Sequence, residues 1–529
     1  MKSRSSAIRV LAEYAALQQI RFESRSTAEE RRTFGHFGTS PKIAHFMAGM
    51  FEETDQNRIR ILDAGAGVGT LTAAVCDRVC QFEGPRHLEC ELWESNPRLV
   101  EFLNNTLTEC RRILSDESPH QLSYSIHNSD FLLDERSSSQ PANFQLAILN
   151  PPWFKLSKNS PQAQTMKHVV HGQPNIYALF MARSAELLEP NGQLVAITPR
   201  SYFNGPYFAK LRTWFLDQMS IRRIHLIESR RSAFRKNKVL QENVILFAQR
   251  RTTDSAHPMN NTAHTPKHLL LTTSSETDFP EPDTRKPDQS SFPYSDIVRM
   301  TRQGPVIQVP GSADEQTAIA TIDQLSNNFG ELGLRISTGP VVPFRATAFL
   351  RSRPSAKTVP LLWMHNVRAY LVNLESRDKK HGHIECSDQS QHLLIPARPM
   401  VLLKRFTSRE ENRRVVAAVF TENSLSTASP APAQIGLENH LNYITHQTRP
   451  LTNDEAFGIA GYLNTLMVDR YIRSVSGSTQ INAADIRNLP FPSFATLRQI
   501  GKHVQNHLSQ TAEELEPYIQ RKLSASKQA

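Results

Sequence analysis

Cysteine is scarce in this chain and badly placed for its usual structural roles. Five occur in 529 residues: Cys76, Cys80, Cys90, Cys110 and Cys386. The number is odd and no paired CxxC spacing appears, so neither a disulfide framework nor a zinc site is encoded, and no metal is expected. Long apolar runs are also missing. None reaches the roughly 20 residues that span a bilayer, and Met1 to Arg9 is polar and basic, without the apolar segment of a secretory signal. These absences together predict a cytoplasmic setting. Acidic residues are the minority charge, 51 against 61 basic, for a net charge of +10. That excess favours a polyanionic partner such as nucleic acid, although a plain basic soluble protein carries the same sum. Internal repeats are absent, and the length suits two or three domains.

What is present centres on Ala147-Ile148-Leu149-Asn150-Pro151-Pro152-Trp153-Phe154. The apolar run Leu146 to Leu149 reads as a buried strand that stops at Asn-Pro-Pro. Proline cannot donate to a sheet ladder and restricts the residue before it, so the chain leaves the sheet there in a fixed shape. The exit presents an amide, proline carbonyls and an aromatic ring at a strand's carboxyl edge, where open α/β sheets bind ligands. A tight structural loop capped by a core Trp is the competing reading.

Upstream, Ile59 to Leu62 is strand-like and runs into Asp63-Ala64-Gly65-Ala66-Gly67-Val68-Gly69 before a helix from about Leu71. Glycines there permit a tight turn and close approach of backbone to a ligand at a helix start. The spacing is not the dinucleotide fingerprint, and no Gly-Lys-Ser/Thr follows for a nucleoside triphosphate. The next strand, Leu88 to Trp93, ends in Glu94, a carboxylate suited to both hydroxyls of a ribose. A third, Tyr124 to His127, leads to Asp130 and Phe131. These suit an adenine's amine and ring, or equally a loop Asp beside a core Phe. Before all of these, Gly38-Thr39-Ser40-Pro41 opens a helix with Ser40 as its cap and Pro41 in its first turn. Ile43, Phe46, Met47 and Met50 form the apolar face of that helix. It is an ordinary capped helix, or an anion site if a ligand is otherwise implied.

Further strands at Gly192 to Thr198, Ile221 to Leu226 and Val244 to Phe247 alternate with helices at Asn175 to Leu188 and Tyr207 to Gln218. That rhythm predicts an α/β domain over residues 1–250 with one doubly wound sheet. Residues 251–296, rich in Thr, Ser, Pro, Asp and Asn, read as a linker or loop-rich bridge with one apolar run, Leu269 to Leu271. Residues 297–529 lack the β–α rhythm and should form a separate domain of another class. Short strands are expected around Leu332 to Phe344, Val359 to Met364 and Met400 to Leu403, and a helix at Ala456 to Val468.

In this order the motifs resemble those of S-adenosylmethionine-dependent adenine-N6 DNA methyltransferases of the gamma arrangement. Within that class the chain is similar to the PstI-like modification methylases of type II restriction–modification systems. The resemblance covers nearly the whole chain, and Asn-Pro-Pro-aromatic is its most specific part. It implies a Rossmann-like mixed sheet methyltransferase domain followed by a separate α+β target-recognition domain. It also implies that Phe37, Thr39 and Pro41 hold the methionine end of the cofactor, while Asp63, Gly65 and Gly67 line its amino-acid and sugar portion. Glu94 would take the ribose, and Asp130 and Phe131 the adenine. Asn150, Pro151, Pro152 and Trp153 would hold the substrate base, with Phe234 on its other face. Gly38 and Ser40 depart from the family, which often has a bulkier residue and a proline there. In the second half, Ser337 to Val342, Lys404-Arg405-Phe406, Glu410 to Arg414 and Tyr462 to Asn482 look like family landmarks. Arg413-Arg414, expected on a helix, is either a DNA contact or a solvated face.

The resemblance also implies double-stranded DNA as the partner, with a monomer acting alongside a separate cognate restriction endonuclease. A base inside a duplex must be flipped out to reach such a site. The same Asn-Pro-Pro-aromatic motif serves methyltransferases of RNA adenines and of protein glutamine amides, so those substrates remain rivals, as does a vestigial DNA-binding subunit. No Pro-Asp is followed at a suitable distance by an acid-x-Lys pair, which disfavours a fused nuclease.

Overall fold

The computed structural model describes residues 10–26, 38–139, 141–204, 206–228, 243–252, 265–275, 279, 290–301, 304–310, 313–374, 381–407, 413–425, 432–475 and 480–525. The chain forms two compact units, Met1–Gln308 and Val309–Ala529.

The first unit is built on a nine-stranded sheet. Its strands are β1 (Arg58–Ala64), β2 (His87–Trp93), β3 (Gln121–His127), β4 (Phe144–Leu149), β5 (Leu188–Pro199), β6 (Met219–Glu228), β7 (Asn243–Arg250), β8 (His268–Ser275) and β9 (Ser290–Pro293). They lie in the order β3-β2-β1-β4-β5-β7-β6-β8-β9. The ladder is parallel from β3 to β5, whereas β7 runs antiparallel to both β5 and β6, so the sheet is mixed. All six residues of β4 are buried, as the unbroken apolar run of a strand covered on both faces requires. Strand order reverses between β1 and β4, with Asp63 beside Ile148. The carboxyl ends of those two strands therefore flank a crevice, the usual ligand position in such sheets.

The unit extends past residue 250 because part of the expected bridge belongs to the sheet. β8 pairs in parallel with β6 from Arg223 opposite Leu270 to Glu228 opposite Ser275, and β9 pairs antiparallel with β8. Its polar composition conceals the strand. Leu269 and Leu271 are buried, while the Thr272 and Ser274 hydroxyls meet the two ring nitrogens of His225 at 2.7 and 2.9 Å. Burial pushes His225 down to about 3, so the ring is neutral and the two hydroxyls satisfy it.

The second unit is α+β. One five-stranded sheet runs Leu334–Thr338, Leu441–His446, Met400–Lys404, Ala417–Phe420, Tyr370–Leu371; a second runs Leu350–Arg351, His383–Glu385, Thr358–Leu362, Gln434–Leu437, Leu394–Pro396; and Asn327–Asn328 pairs with Pro490–Phe491 in a two-stranded sheet. Helices Asn453–Leu463 and Phe494–Asn506 pack so closely that a methyl group at Gly458 or Gly501 would run into the other helix's backbone. Two expectations need correction. The single helix over Ala456 to Val468 is two helices, Asn453–Leu463 and Leu466–Val475. Between them Asn464 turns its side chain to the Ala417 backbone, accepting from its N–H at 3.0 Å and donating to its carbonyl at 2.8 Å. Arg413 and Arg414 lie on no helix but in the approach to strand Ala417–Phe420. Arg414 is fully buried, its N–H on Asp469 at 2.6 Å, and Arg413 pairs with Glu513 at 2.7 Å. Arg414 is thus neither a solvated face nor a surface DNA contact.

Candidate active site

The loop after β1 is shaped by three glycines with positive φ, Gly65 at 78°, Gly67 at 59° and Gly69 at 87°. Side chains avoid that region. Gly69 is also crowded, since a Cβ there would lie 2.9 Å from Leu103 Cδ1. Gly69 is the N-cap of helix Thr70–Val79, so the loop turns directly into a helix start. Gly65 and Ala66 N–H both donate to Trp93 O at 2.9 Å, which ties the loop to the end of β2.

Two carboxylates stand at this loop. Asp63, at the end of β1, is 1% exposed. Its Oδ2 accepts from Thr72 Oγ1 at 2.6 Å, while Oδ1 has no hydrogen-bond partner among the described residues. Burial pushes this carboxyl up to about 7, opposed by Thr72 and assisted by the nearby Glu94 charge. Glu94 is itself raised by burial, against the N–H groups that bond it. It accepts from Gly67 N–H at 2.9 Å and from Asn96 N–H at 2.8 Å, which fixes its plane and leaves lone pairs of each oxygen for hydroxyl donors.

Beyond β3, Asp130 accepts from Leu132 N–H at 2.9 Å and from Gln162 Nε2 at 2.8 Å. Phe131 is buried between Trp93, 5.4 Å away centroid to centroid, and Phe180, 5.3 Å away. It is a core ring and part of the cleft wall at once. On the far side, Ser40 caps helix Pro41–Ala48 with Pro41 in its first turn, as expected. Gly38 is tight against Gln19, whose Cδ would lie 3.0 Å from an added Cβ, which accounts for the missing bulk at that position. Thr39 Oγ1 accepts from Asn150 Nδ2 at 2.9 Å, and this contact orients the amide just past β4.

One cleft, about 1080 Å³ including its open mouth, gathers Thr39, Gly65, Gly67, Glu94, Asp130, Phe131, Asn150 and Pro152. Asp63 and Pro151 are buried and Trp153 is half-buried, and none of the three lines the cleft; Phe154 lines it and is 41% exposed. Pro41 starts its helix without lining the cleft. Phe37 and Phe234 fall outside the described residues. Sequence reasoning missed Gln162 and Phe180. Gln162 lies on a five-residue helix in a polar stretch, and Phe180 is one apolar residue in a helix buried on every side, so neither carries a local signal.

The cleft thus combines a carboxylate, Glu94, able to accept from hydroxyl donors, with aromatic walls from Phe131 and Phe180.

Comparison with known proteins identifies the family. Residues 88–234 match the family described as Eco57I restriction-modification methylase. The chain is 32% identical over 483 residues to the type II methyltransferase M.BsuBI of Bacillus subtilis, spanning 90% of this chain and 91% of that one. It is 30% identical over 498 residues to the type II methyltransferase M.PstI of Providencia stuartii, spanning 92% and 93%. Over 142 residues, 26% of this chain and 49% of the relative, it is 37% identical to a tRNA1(Val) (adenine(37)-N6)-methyltransferase of Porphyromonas gingivalis.

Proposed function

The chain belongs to the type II methyltransferases of restriction–modification systems, and from that premise we propose that it methylates N6 of an adenine flipped out of a short duplex recognition sequence. The observation that carries the reading is Asn150, held by Thr39 at 2.9 Å on the wall of the cleft that also contains the glycine loop.

S-adenosylmethionine, when bound, supplies a methyl group on a positively charged sulfur. Glu94 would accept the ribose hydroxyls, Asp130 the adenine amine, and Asp63 with the glycine loop would face the amino-acid and sugar portion. The substrate amine is a poor nucleophile because its lone pair is delocalised into the ring. Acceptors aimed at both its N–H groups, Asn150 Oδ1 and the Pro151 carbonyl, draw the nitrogen towards tetrahedral geometry and localise that pair. Trp153 would stack on the flipped base. Such stacking at roughly 1–3 kcal/mol offsets the few kcal/mol that unstacking costs. Positioning does most of the remaining work. The surplus proton leaves after attack, so no strong base is needed.

The second unit, residues 309–529, is assigned to target recognition, with duplex DNA as partner and a separate endonuclease as the counterpart of a monomeric methylase. Similarity to a tRNA adenine methyltransferase over part of the chain makes RNA the second reading. Labelled-methyl transfer to duplex DNA, RNA and protein decides among the substrates, and methylation-sensitive sequencing of DNA from expressing cells identifies site and base. Asn150→Ala should abolish methyl transfer while calorimetry still detects cofactor binding; turnover at the wild-type rate would refute the mechanism.

A further inference from the structure

Phe344 is the most exposed large apolar side chain among the described residues, at 77%. Other phenylalanines of the second unit, Phe329, Phe420 and Phe491, are almost wholly buried. Scattered apolar residues on a surface need no explanation, but the way this one is held does. Phe344 follows strand Leu334–Thr338 in a turn braced on both sides. Gly339 N–H donates to Leu441 O at 2.9 Å, Val341 N–H to Leu437 O at 3.0 Å, and Asn439 N–H returns to Val341 O at 2.9 Å. Past the ring, Arg345 and Ala346 N–H close on Val342 O at 2.9 and 3.0 Å, and Thr347 Oγ1 donates to Pro343 O at 3.2 Å. Gly339 admits no side chain, because a Cβ there would strike the Leu437 and Glu438 carbonyls. A backbone fixed this firmly holds the ring in water with little ordering left to lose on binding.

The charge of this stretch of sequence, and the cation at the ring itself, bear on the kind of partner. Residues 341–407 hold eleven Lys and Arg against four Asp and Glu, an excess of seven out of the chain's ten. The Arg345 guanidinium lies 5.3 Å from the Phe344 ring centroid, and the other exposed residues between Val341 and Leu350 are Thr347 and Ala348. An apolar protein surface would need more apolar contact than one ring, and would gain nothing from the cations. Duplex DNA offers stacked bases inside a phosphate frame, to which a rigid ring beside a guanidinium is complementary.

We propose that Phe344 is a wedge by which the second unit enters the base stack of duplex DNA, with Arg345 on a neighbouring phosphate. The inference rests on the DNA reading above and adds a specific contact to it. The test is fluorescence anisotropy on a labelled duplex carrying the site identified by methylation sequencing. Phe344→Ala should weaken binding on the order of tenfold with an unchanged salt slope, because stacking releases no counterions. Arg345→Gln should instead reduce the salt slope by about one. Phe344→Trp should keep the affinity. Thermal unfolding should match wild type for all three, since none removes a buried contact. Unchanged affinity in Phe344→Ala overturns the wedge and leaves the methyltransferase reading standing. Wild-type protein that binds S-adenosylmethionine but not the duplex overturns both.

Discussion

The Asp63 carboxyl ionises near 7 in the folded protein because it is buried, against a usual 3.8. Between those values the folded state holds a proton that the unfolded state has released. Stability of the ligand-free protein therefore falls as pH rises through that window. A cationic ligand acts in the opposite sense, because it favours the charged carboxylate. Affinity for S-adenosylmethionine should climb as pH rises through about 7, and Asp63→Asn should flatten the profile; calorimetry across that range that finds no slope in the wild type would refute the role. Thr39 can be tested at the same scale. Thr39→Val keeps the shape but removes the acceptor for Asn150. Losing that hydrogen bond costs roughly 0.5–1.5 kcal/mol, so kcat should drop up to about tenfold while KM for the cofactor moves less. Thr39→Ser should restore the rate.

Among the elements, the glycine-mediated contact between helices Asn453–Leu463 and Phe494–Asn506 is the least forgiving. Gly501→Ala pushes a methyl group into the Asp454 carbonyl and should cost about 1–3 kcal/mol or more, lowering the melting temperature of the second unit in calorimetry; an unchanged transition would mean the helices part freely. The same pair shows what a sequence can disclose. Apolar runs and caps report local preference, so β1, β4 and the Ser40-capped helix were legible. Asn464 breaks a helical pattern only because strand Ala417–Phe420 offers its backbone as a partner. β8 looked like loop because its hydroxyls answer His225 on another strand. Arg414 looked like a surface charge because nothing local announces Asp469. Within the site, Asn150, Glu94 and the glycines carried chemical signatures, whereas Gln162 and Phe180 matter only through Asp130 and Phe131.

For the whole molecule, the charge of +10 is concentrated, with seven of the ten in residues 341–407. If phosphates are the partner, affinity should fall on the order of a thousandfold or more between about 50 and 200 mM salt, and a flat response would argue against DNA. A second whole-molecule property follows from the smallest contact described. Thr39 belongs to the wall assigned to the methyl donor and Asn150 to the wall assigned to the base, and a 2.9 Å hydrogen bond joins them. On that reading the two affinities form one thermodynamic cycle. Any factor by which the donor tightens DNA is the factor by which DNA tightens the donor. Such reciprocity would let the spent donor and the methylated duplex loosen one another, making product release a joint event.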